Sequence, residues 1–161
     1  ISKSITDISG ASNYFIGSLV AYSNEIKSNF LDIPNSTIEK YGAVSSEVSE
    51  LMAINISKKF KSDIALSCTG ISGPNGGTDK KPVGTVYISI KFFDKILTEK
   101  FIFRLNRQSH RIITKQTALY MLWKLLINLK YWFISSLEIC IFYNQLNNLF
   151  KVLKKDYYGP R

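Results

Sequence analysis

Residues 69–86, TGISGPNGGTDKKPVGTV, form the stretch of this sequence best suited to holding a ligand through backbone atoms. Gly70, Gly73, Gly76 and Gly77 are crowded between IALSC and VYISI, two segments typical of buried strands. Glycines after a strand allow successive backbone amides to approach an anion or a developing oxyanion. A tight loop without a ligand is the alternative. The spacing fits neither the Walker phosphate loop nor the dinucleotide fingerprint, which argues against nucleoside triphosphates.

A second polar group lies upstream in residues 20–27, VAYSNEIK. Its side chains fall where a predicted strand leaves the sheet, and loops at such positions often carry chemistry. A lysine with a depressed pKa, near a tyrosine hydroxyl, can serve as the general base for a serine nucleophile. On the residues alone, Tyr22 and Lys27 are candidates for this chemistry and Asn24 is a candidate substrate contact, although a tyrosine and a lysine at this spacing are common by chance. The alternative for Lys27 is a solvated surface lysine.

Both groups need strands and helices to position them, and the sequence predicts an α/β fold. FIGSLVAYS (15–23) is typical of a strand, and Pro34 and Gly42 bound a short predicted helix. Residues 44–60 carry apolar side chains at helical spacing, with Ser45 or Ser46 as the cap.

The second half of the sequence continues this alternation. Residues 63–68 predict a strand, and residues 83–93 and 95–103 predict two strands joined in a hairpin through Asp94 and Lys95. A long helix is predicted from Arg107 to about Lys130, on which His110 is interpreted as a surface residue. Helices interleaved with strands predict a layered α/β/α domain with a mixed sheet.

Length and composition limit the class of protein. A chain of 161 residues with 45% hydrophobic residues suits one packed soluble domain. The net charge of +9 would permit a nucleic-acid binder, but the lysines are scattered and the aromatic residues lie in apolar runs, so no nucleic-acid partner is expected. Cys68 and Cys140 form no metal-ligand or paired pattern, so we expect reduced thiols, a cytoplasmic location and no metal site. No apolar run is long enough to cross a bilayer, and a membrane partner is not expected.

Five segments, read in order, carry a resemblance to a known family. They are ITDISGASNYF (5–15), GSLVAYSNEIK (17–27), GAVSSEV (42–48), DIALSCTGISGPNGG (63–77) and KPVGTV (81–86). Together they resemble the C-terminal domain of the competence-damage-inducible protein A family. NRQSHRIITKQTALYML (106–122) is similar to the last helix of that family, with Arg107 and Arg111 at its basic positions. The resemblance covers about residues 1–130.

The resemblance implies a function, because enzymatic members of the family are nicotinamide mononucleotide deamidases. They hydrolyse the carboxamide to nicotinate mononucleotide and ammonia, without a metal or organic cofactor. A serine nucleophile is assisted by a tyrosine and a lysine, which match Tyr22 and Lys27. Thr69 and the amides around the four glycines would hold the amide oxygen or the ribose phosphate. Related domains self-associate, which predicts a homo-oligomer.

The ends of the sequence differ from the family pattern. The nucleophile motif of the family, TAESCTGG, precedes the segment that matches residue 1, so the family's first strand is expected to be missing. SCTG at 67–70 matches a later motif, and Ser67 is interpreted as a strand residue. Because the first residue is isoleucine, we expect a fragment, a processed product or a truncated copy. A non-catalytic nucleotide-binding or interaction module, a remnant of the amidase, is the alternative function.

Residues 131–161 are predicted to form an aromatic and basic helical tail, separate from the domain at 1–130. Three interpretations remain open: a helix that covers the core or a subunit interface, a helix on a membrane surface, and residues that follow a change of reading frame.

Overall fold

The computed structural model describes residues 1–132, with side chains described up to residue 128. The α/β class predicted from the sequence is confirmed. In chain order the elements are α1 (Ser2–Thr6), a 3₁₀ turn (Ala11–Asn13), α2 (Asn24–Leu31), α3 (Asn35–Tyr41), α4 (Ser46–Phe60), β1 (Ile64–Gly70), β2 (Thr85–Phe92), β3 (Lys95–Ile102) and α5 (Arg107–Trp132).

Local signals explain the helices α3 and α4, which both match the prediction. Pro34 precedes the first residue of α3 and Gly42 follows its last. Ser45 caps α4, because its hydroxyl accepts a hydrogen bond from the amide of Val48 at 3.3 Å. Glu47 lies in the first turn of α4, where a carboxylate interacts favourably with the helix dipole.

The three described strands form a sheet in the order β1-β2-β3, and both pairings are antiparallel. The mixed character predicted for the sheet is therefore not present among these strands. A two-residue turn joins β2 to β3, and such a turn can only connect antiparallel neighbours. The predicted hairpin is confirmed.

The strand predicted for residues 15–23 is wrong. This segment pairs with none of the three strands, and its apolar side chains are exposed, with Ile16 at 63% and Val20 at 81%. The sequence does favour an extended chain there. A strand, however, also needs a neighbour to take its backbone hydrogen bonds, and no described residue provides one.

Helix α4 packs on one face of the sheet and contacts all three strands. A chain of buried hydroxyls fixes the contact: Ser67 donates to the Ser49 carbonyl at 2.6 Å, and Ser89 donates to the Ser49 hydroxyl at 2.8 Å. On the opposite face, Val86, Ile88 and Ile90 of β2 are almost fully buried. Because side chains alternate along a strand, the central strand is covered on both faces.

Helices α2, α3 and α4 share an apolar cluster. Leu31, Ile33, Ile38 and Val48 form its buried centre, and partly buried residues pack around them, among them Ala21 and Ala43. The segment that precedes α2 and the segment that precedes α4 therefore pack against the same cluster.

The chain divides into two compact units. One comprises Ser18–Ala118, which holds the sheet and helices α2 to α4, and the other comprises Ile1–Gly17 and the described residues from Leu119 to Trp132. The domain prediction of 1–130 remains a prediction, and almost all of the predicted tail at 131–161 lies outside the described residues. Within the described part, none of the helices combines the length and the hydropathy that crossing a membrane would require.

The interpretation of His110 as a surface residue is wrong. It is 2% exposed, and its Nε2 lies 3.1 Å from the carbonyl oxygen of Gly84, which can only accept. Nε2 therefore carries the proton. The ring also meets Phe103 edge-on, so this histidine fixes the start of α5 against the beginning of β2.

Candidate active site

The segment at 21–27 folds around the side chain of Lys27. Ser23 caps α2 by accepting a hydrogen bond from the amide of Ile26 at 3.1 Å, and Lys27 follows one turn later. Its Nζ points back along the helix, as helical side chains do, and donates to the carbonyl oxygens of Ala21 at 2.9 Å, Tyr22 at 3.3 Å and Ser23 at 3.5 Å. The lysine thereby closes the turn that precedes α2.

Lys27 is 6% exposed, so the alternative of a solvated surface lysine is wrong. Burial lowers the pKa of Lys27 from its ordinary value of 10.5, because the ammonium form loses hydration. No carboxylate forms an ion pair with it among the described residues. Three carbonyl dipoles are its hydrogen-bond partners. A buried amine with a lowered pKa and no counter-ion is more available as a proton acceptor than a surface lysine.

Tyr22 and Asn24 lie beside Lys27 in the chain, on the solvent side. Tyr22 is 79% exposed, and no hydrogen bond to its phenol oxygen occurs within the described part of the chain. Asn24 is the first residue of α2 and is also exposed. Both polar groups are therefore accessible to a ligand that approaches this turn, while Lys27 lies beneath it.

Thr69 and Gly70 end β1, and Gly73, Gly76 and Gly77 lie in the loop that follows. The Thr69 hydroxyl donates to the carbonyl oxygen of Ala43 at 2.8 Å, so its proton is used within the fold. Gly70 and Gly77 lie close to the backbone of Thr85 and Val83, where a Cβ would collide. These contacts account for glycine at both positions independently of a ligand.

Gly73 and Gly76 both have the positive φ that favours glycine, at 73° and 93°. A Cβ on Gly73 would lie 2.6 Å from Cγ1 of Val83, whereas one on Gly76 would meet only Ile71 at 3.6 Å. The loop is thus packed at its base and open at its tip.

Backbone amides remain available in this glycine loop, defined as residues 71–84. Within the described chain the amides of Ser72, Gly73, Asn75, Gly76 and Gly77 donate no hydrogen bond. Residues 74–80 are exposed to solvent. Consecutive unpaired amides of this kind can bind an anion or an oxyanion.

The segment Tyr41–Ser45 contacts the end of β1 and the glycine loop through hydrogen bonds. The carbonyl oxygen of Ala43 accepts a hydrogen bond from the hydroxyl of Thr69, and the carbonyl oxygen of Tyr41 accepts one from Nζ of Lys81. Ala43 also packs against the apolar cluster that includes Ala21, next to Tyr22. The glycine loop is therefore hydrogen-bonded to this segment, and the turn at residues 21–27, called the lysine turn, packs against the same apolar cluster as the segment does.

Two basic residues shape the glycine loop and were absent from the predicted site. Nζ of Lys81 donates a hydrogen bond to the carbonyl oxygen of Tyr41, and Nη1 of Arg107 donates one to the carbonyl oxygen of Gly73 at 3.1 Å. From the sequence, Arg107 is identified only as a basic position of the last helix. Its place at the first turn of a helix, opposite a glycine-rich loop, is the signal that could have identified it.

Ser67 is not available as a nucleophile. It is a buried residue of β1, as predicted, and its hydroxyl donates to Ser49. Within the described residues, no cluster of histidine, cysteine, aspartate and glutamate side chains could hold a metal ion.

Comparisons with known proteins agree on one family. The model of the CinA C-terminal domain matches residues 1–126. The chain is 46% identical over 127 residues to a putative competence-damage inducible protein of Halothermothrix orenii, which covers 78% of this chain and 31% of that protein. It is 48% identical over 122 residues to a CinA-like protein of Syntrophomonas wolfei, covering 76% and 29%. The chain thus spans less than a third of the length of these relatives.

Solved structures show the same fold. The competence/damage inducible protein CihA of Agrobacterium tumefaciens matches with a TM-score of 0.70 and 33% identity, over 73% of this chain and 72% of that one. The competence damage-inducible protein A (ComA) of Klebsiella pneumoniae matches with a TM-score of 0.73 and 26% identity, over 75% of each chain.

Proposed function

This chain belongs to the CinA C-terminal domain family, and from that premise we propose that it forms the tyrosine, lysine and glycine-loop part of an amidase. The substrate is nicotinamide mononucleotide, which the enzyme hydrolyses to nicotinate mononucleotide and ammonia in the cytoplasm. The observation that carries the proposal is the buried Lys27, whose Nζ donates to the backbone carbonyl oxygen of the exposed Tyr22 at 3.3 Å.

Amide hydrolysis needs one group that takes a proton from the nucleophile and returns it to the leaving nitrogen. The lowered pKa of Lys27 suits this group, because the neutral amine is populated closer to neutral pH than in a surface lysine. Tyr22 transfers the proton between Lys27 and the serine, which the family carries in its TAESCTGG motif. The serine oxygen bonds to the carboxamide carbon, the C–N bond breaks, ammonia leaves, and water hydrolyses the acyl-enzyme.

The unpaired amides of the glycine loop support the second half of the proposal. They bind either the oxyanion that forms during acyl transfer or the ribose phosphate, and both are anionic. Asn24 contacts the nucleotide from the start of α2. Thr69 contributes indirectly, since its hydroxyl holds the segment Tyr41–Ser45 in place.

The same unpaired amides also favour a second candidate function. Anion binding by backbone needs no nucleophile, so the chain can act as a non-catalytic module that binds a mononucleotide. In that case nicotinamide mononucleotide binds with its carboxamide intact.

The two functions are separated by measuring binding and turnover on the same protein. Calorimetric titration with nicotinamide mononucleotide is paired with an assay of ammonia and nicotinate mononucleotide, using the chain alone and the chain extended by its upstream coding sequence. Turnover by the extended chain supports the amidase. Binding without turnover by both proteins supports the binding module, and absence of binding contradicts both.

A further inference from the structure

The outer edge of strand β3 is unpaired in the described part of the chain. Its partner β2 lies on one side only, and the register is continuous over all eight residues, from Lys95 opposite Phe92 to Ile102 opposite Thr85. The strand contains no proline and no bulge, two devices that commonly protect an exposed edge.

Hydrogen bonding fixes which backbone groups face outward. The amide of Phe103 donates to the Gly84 carbonyl, so this pair is a hydrogen-bonded one, and such pairs recur at every second residue. The amide and carbonyl groups of four β3 residues therefore point away from the sheet, at Ile96, Thr98, Lys100 and Ile102. They form a row of unpaired donors and acceptors.

The edge also exposes more apolar surface than a solvent-facing strand requires. Ile96 and Leu97 are each 37% exposed and Ile102 is 44% exposed. Lys95, Glu99 and Lys100 interrupt these residues, and charges on an edge usually prevent it from pairing. Their order along β3, however, is complementary to itself.

We propose that β3 pairs with β3 of a second copy, antiparallel, about a two-fold axis at Leu97. In this register Lys95 of each copy lies opposite Glu99 of the other, Leu97 lies opposite Leu97, and Ile96 lies opposite Thr98. The outward-facing groups of Ile96 and Thr98 form the new hydrogen bonds. The result is a continuous six-stranded sheet built from two copies of the three described strands.

Other two-fold registers place unfavourable pairs opposite one another. An axis at Glu99 or at Lys100 brings identical charges together. An axis at Thr98 places Leu97 opposite Glu99, and an axis at Ile96 places Lys95 opposite Leu97. The register at Leu97 is the one that pairs Lys95 with Glu99, and the symmetry forms this pair twice.

The contact is small, since one strand edge buries less than the roughly 1,600 Å² of a standard interface. We therefore expect a reversible dimer whose population depends on concentration. This inference does not depend on the amidase proposal, because the edge of β3 is separate from the lysine turn and the glycine loop.

Charge reversal tests the register. The full chain is compared with Lys95→Glu, Glu99→Lys and the double variant Lys95→Glu/Glu99→Lys by sedimentation equilibrium. Each single reversal places like charges opposite each other twice, so the dimer dissociation constant rises about tenfold or more, and the double variant restores it. Glu39→Lys, on the exposed surface of α3, matches the charge change of Glu99→Lys and leaves the constant unchanged.

Cross-linking tests the position of the axis. With Cys68→Ala and Cys140→Ala as background, Leu97→Cys forms a disulfide between copies under mild oxidation, because opposed residues in such pairs lie within disulfide distance. Ile102→Cys is the control, since its two copies lie about 30 Å apart in this register. A chain that stays monomeric, single reversals without effect, or cross-linking at residue 102 rather than 97 would each overturn the proposal.

Discussion

The Nζ of Lys27 donates a hydrogen bond to the carbonyl oxygen of Ala21, six residues earlier, at 2.9 Å. With the carbonyls of Tyr22 and Ser23 it completes three hydrogen bonds, the full donor capacity of an ammonium group. The lysine thus stabilises the turn that presents Tyr22 and Asn24, and it must release one of these bonds when it acts as a base. Its structural and proposed catalytic roles are coupled.

Replacing Lys27 by methionine should lower the free energy of unfolding by about 1–3 kcal/mol. Methionine retains an apolar stem of similar length but leaves the carbonyl oxygens of Ala21 and Tyr22 without this donor, whereas that of Ser23 keeps its bond from the amide of residue 27. Urea denaturation monitored by circular dichroism measures the change. Lys58→Met, at an exposed position on α4, is the control and should shift stability by no more than about 0.5 kcal/mol. Equal effects of the two substitutions would mean that Lys27 has no structural role.

The lowered pKa of Lys27 also predicts how the free energy of unfolding depends on pH. Because its pKa is lowered in the folded state, the unfolded chain binds more protons between that lowered pKa and 10.5. The contribution of Lys27 to stability therefore rises with pH through this window, as the cost of burying the charge disappears. The measurement is the difference in free energy of unfolding between the natural chain and Lys27→Met at several alkaline pH values. A difference that falls with rising pH would contradict the assignment.

Alanine substitutions should distinguish the base of the glycine loop from its tip. Gly76→Ala incurs only the strain of a positive φ, about 1 kcal/mol, whereas Gly73→Ala adds a collision with Val83 and should cost more. Thermal unfolding of both variants measures this order. Adding Val83→Ala to Gly73→Ala should recover part of the loss, because it removes the colliding methyl group. Equal costs for Gly73→Ala and Gly76→Ala would show that packing at Val83 is unimportant.

Removing the guanidinium of Arg107 should loosen the glycine loop without unfolding the chain. Arg107→Gln loses the hydrogen bond to the Gly73 carbonyl, yet the residue is exposed, so the loss of stability should stay below about 1 kcal/mol. Limited trypsin digestion measures the mobility of the loop, since Lys80 lies within it and is followed by Lys81 rather than by proline. We expect faster cleavage there in the variant, with Arg111→Gln, an exposed arginine one turn later, as the control.

The parts of the fold that depend on local signals were predictable from the sequence. Ser45 ahead of an apolar helical pattern identified α4, and the run at 83–103 identified the β2–β3 hairpin. Helix α2 was missed because its first residues were interpreted as the loop that follows the strand predicted at 15–23. Ser23 as a cap, followed by Glu25 in the first turn, was the signal that could have found it.

Features that depend on distant parts of the chain were not predictable in the same way. The strand predicted at 15–23 is wrong because pairing requires a neighbouring strand edge, which the composition of the segment does not encode. Lys27 is buried although lysine is rarely buried, and His110 is buried although histidine has no strong preference for the interior. In each case carbonyl oxygens placed by tertiary structure provide the partner, and sequence spacing alone gives no sign of it.

Ammonia release from nicotinamide mononucleotide tests the central claim most directly. The chain, a version extended by its upstream coding sequence, and the extended version with Lys27→Met are assayed side by side, with circular dichroism to establish that each is folded. The proposal predicts that the extended protein releases ammonia and that Lys27→Met abolishes this release while the fold is retained. A folded extended protein without turnover, or one whose turnover is unchanged by Lys27→Met, would contradict the assignment of Lys27 as the base of an amidase.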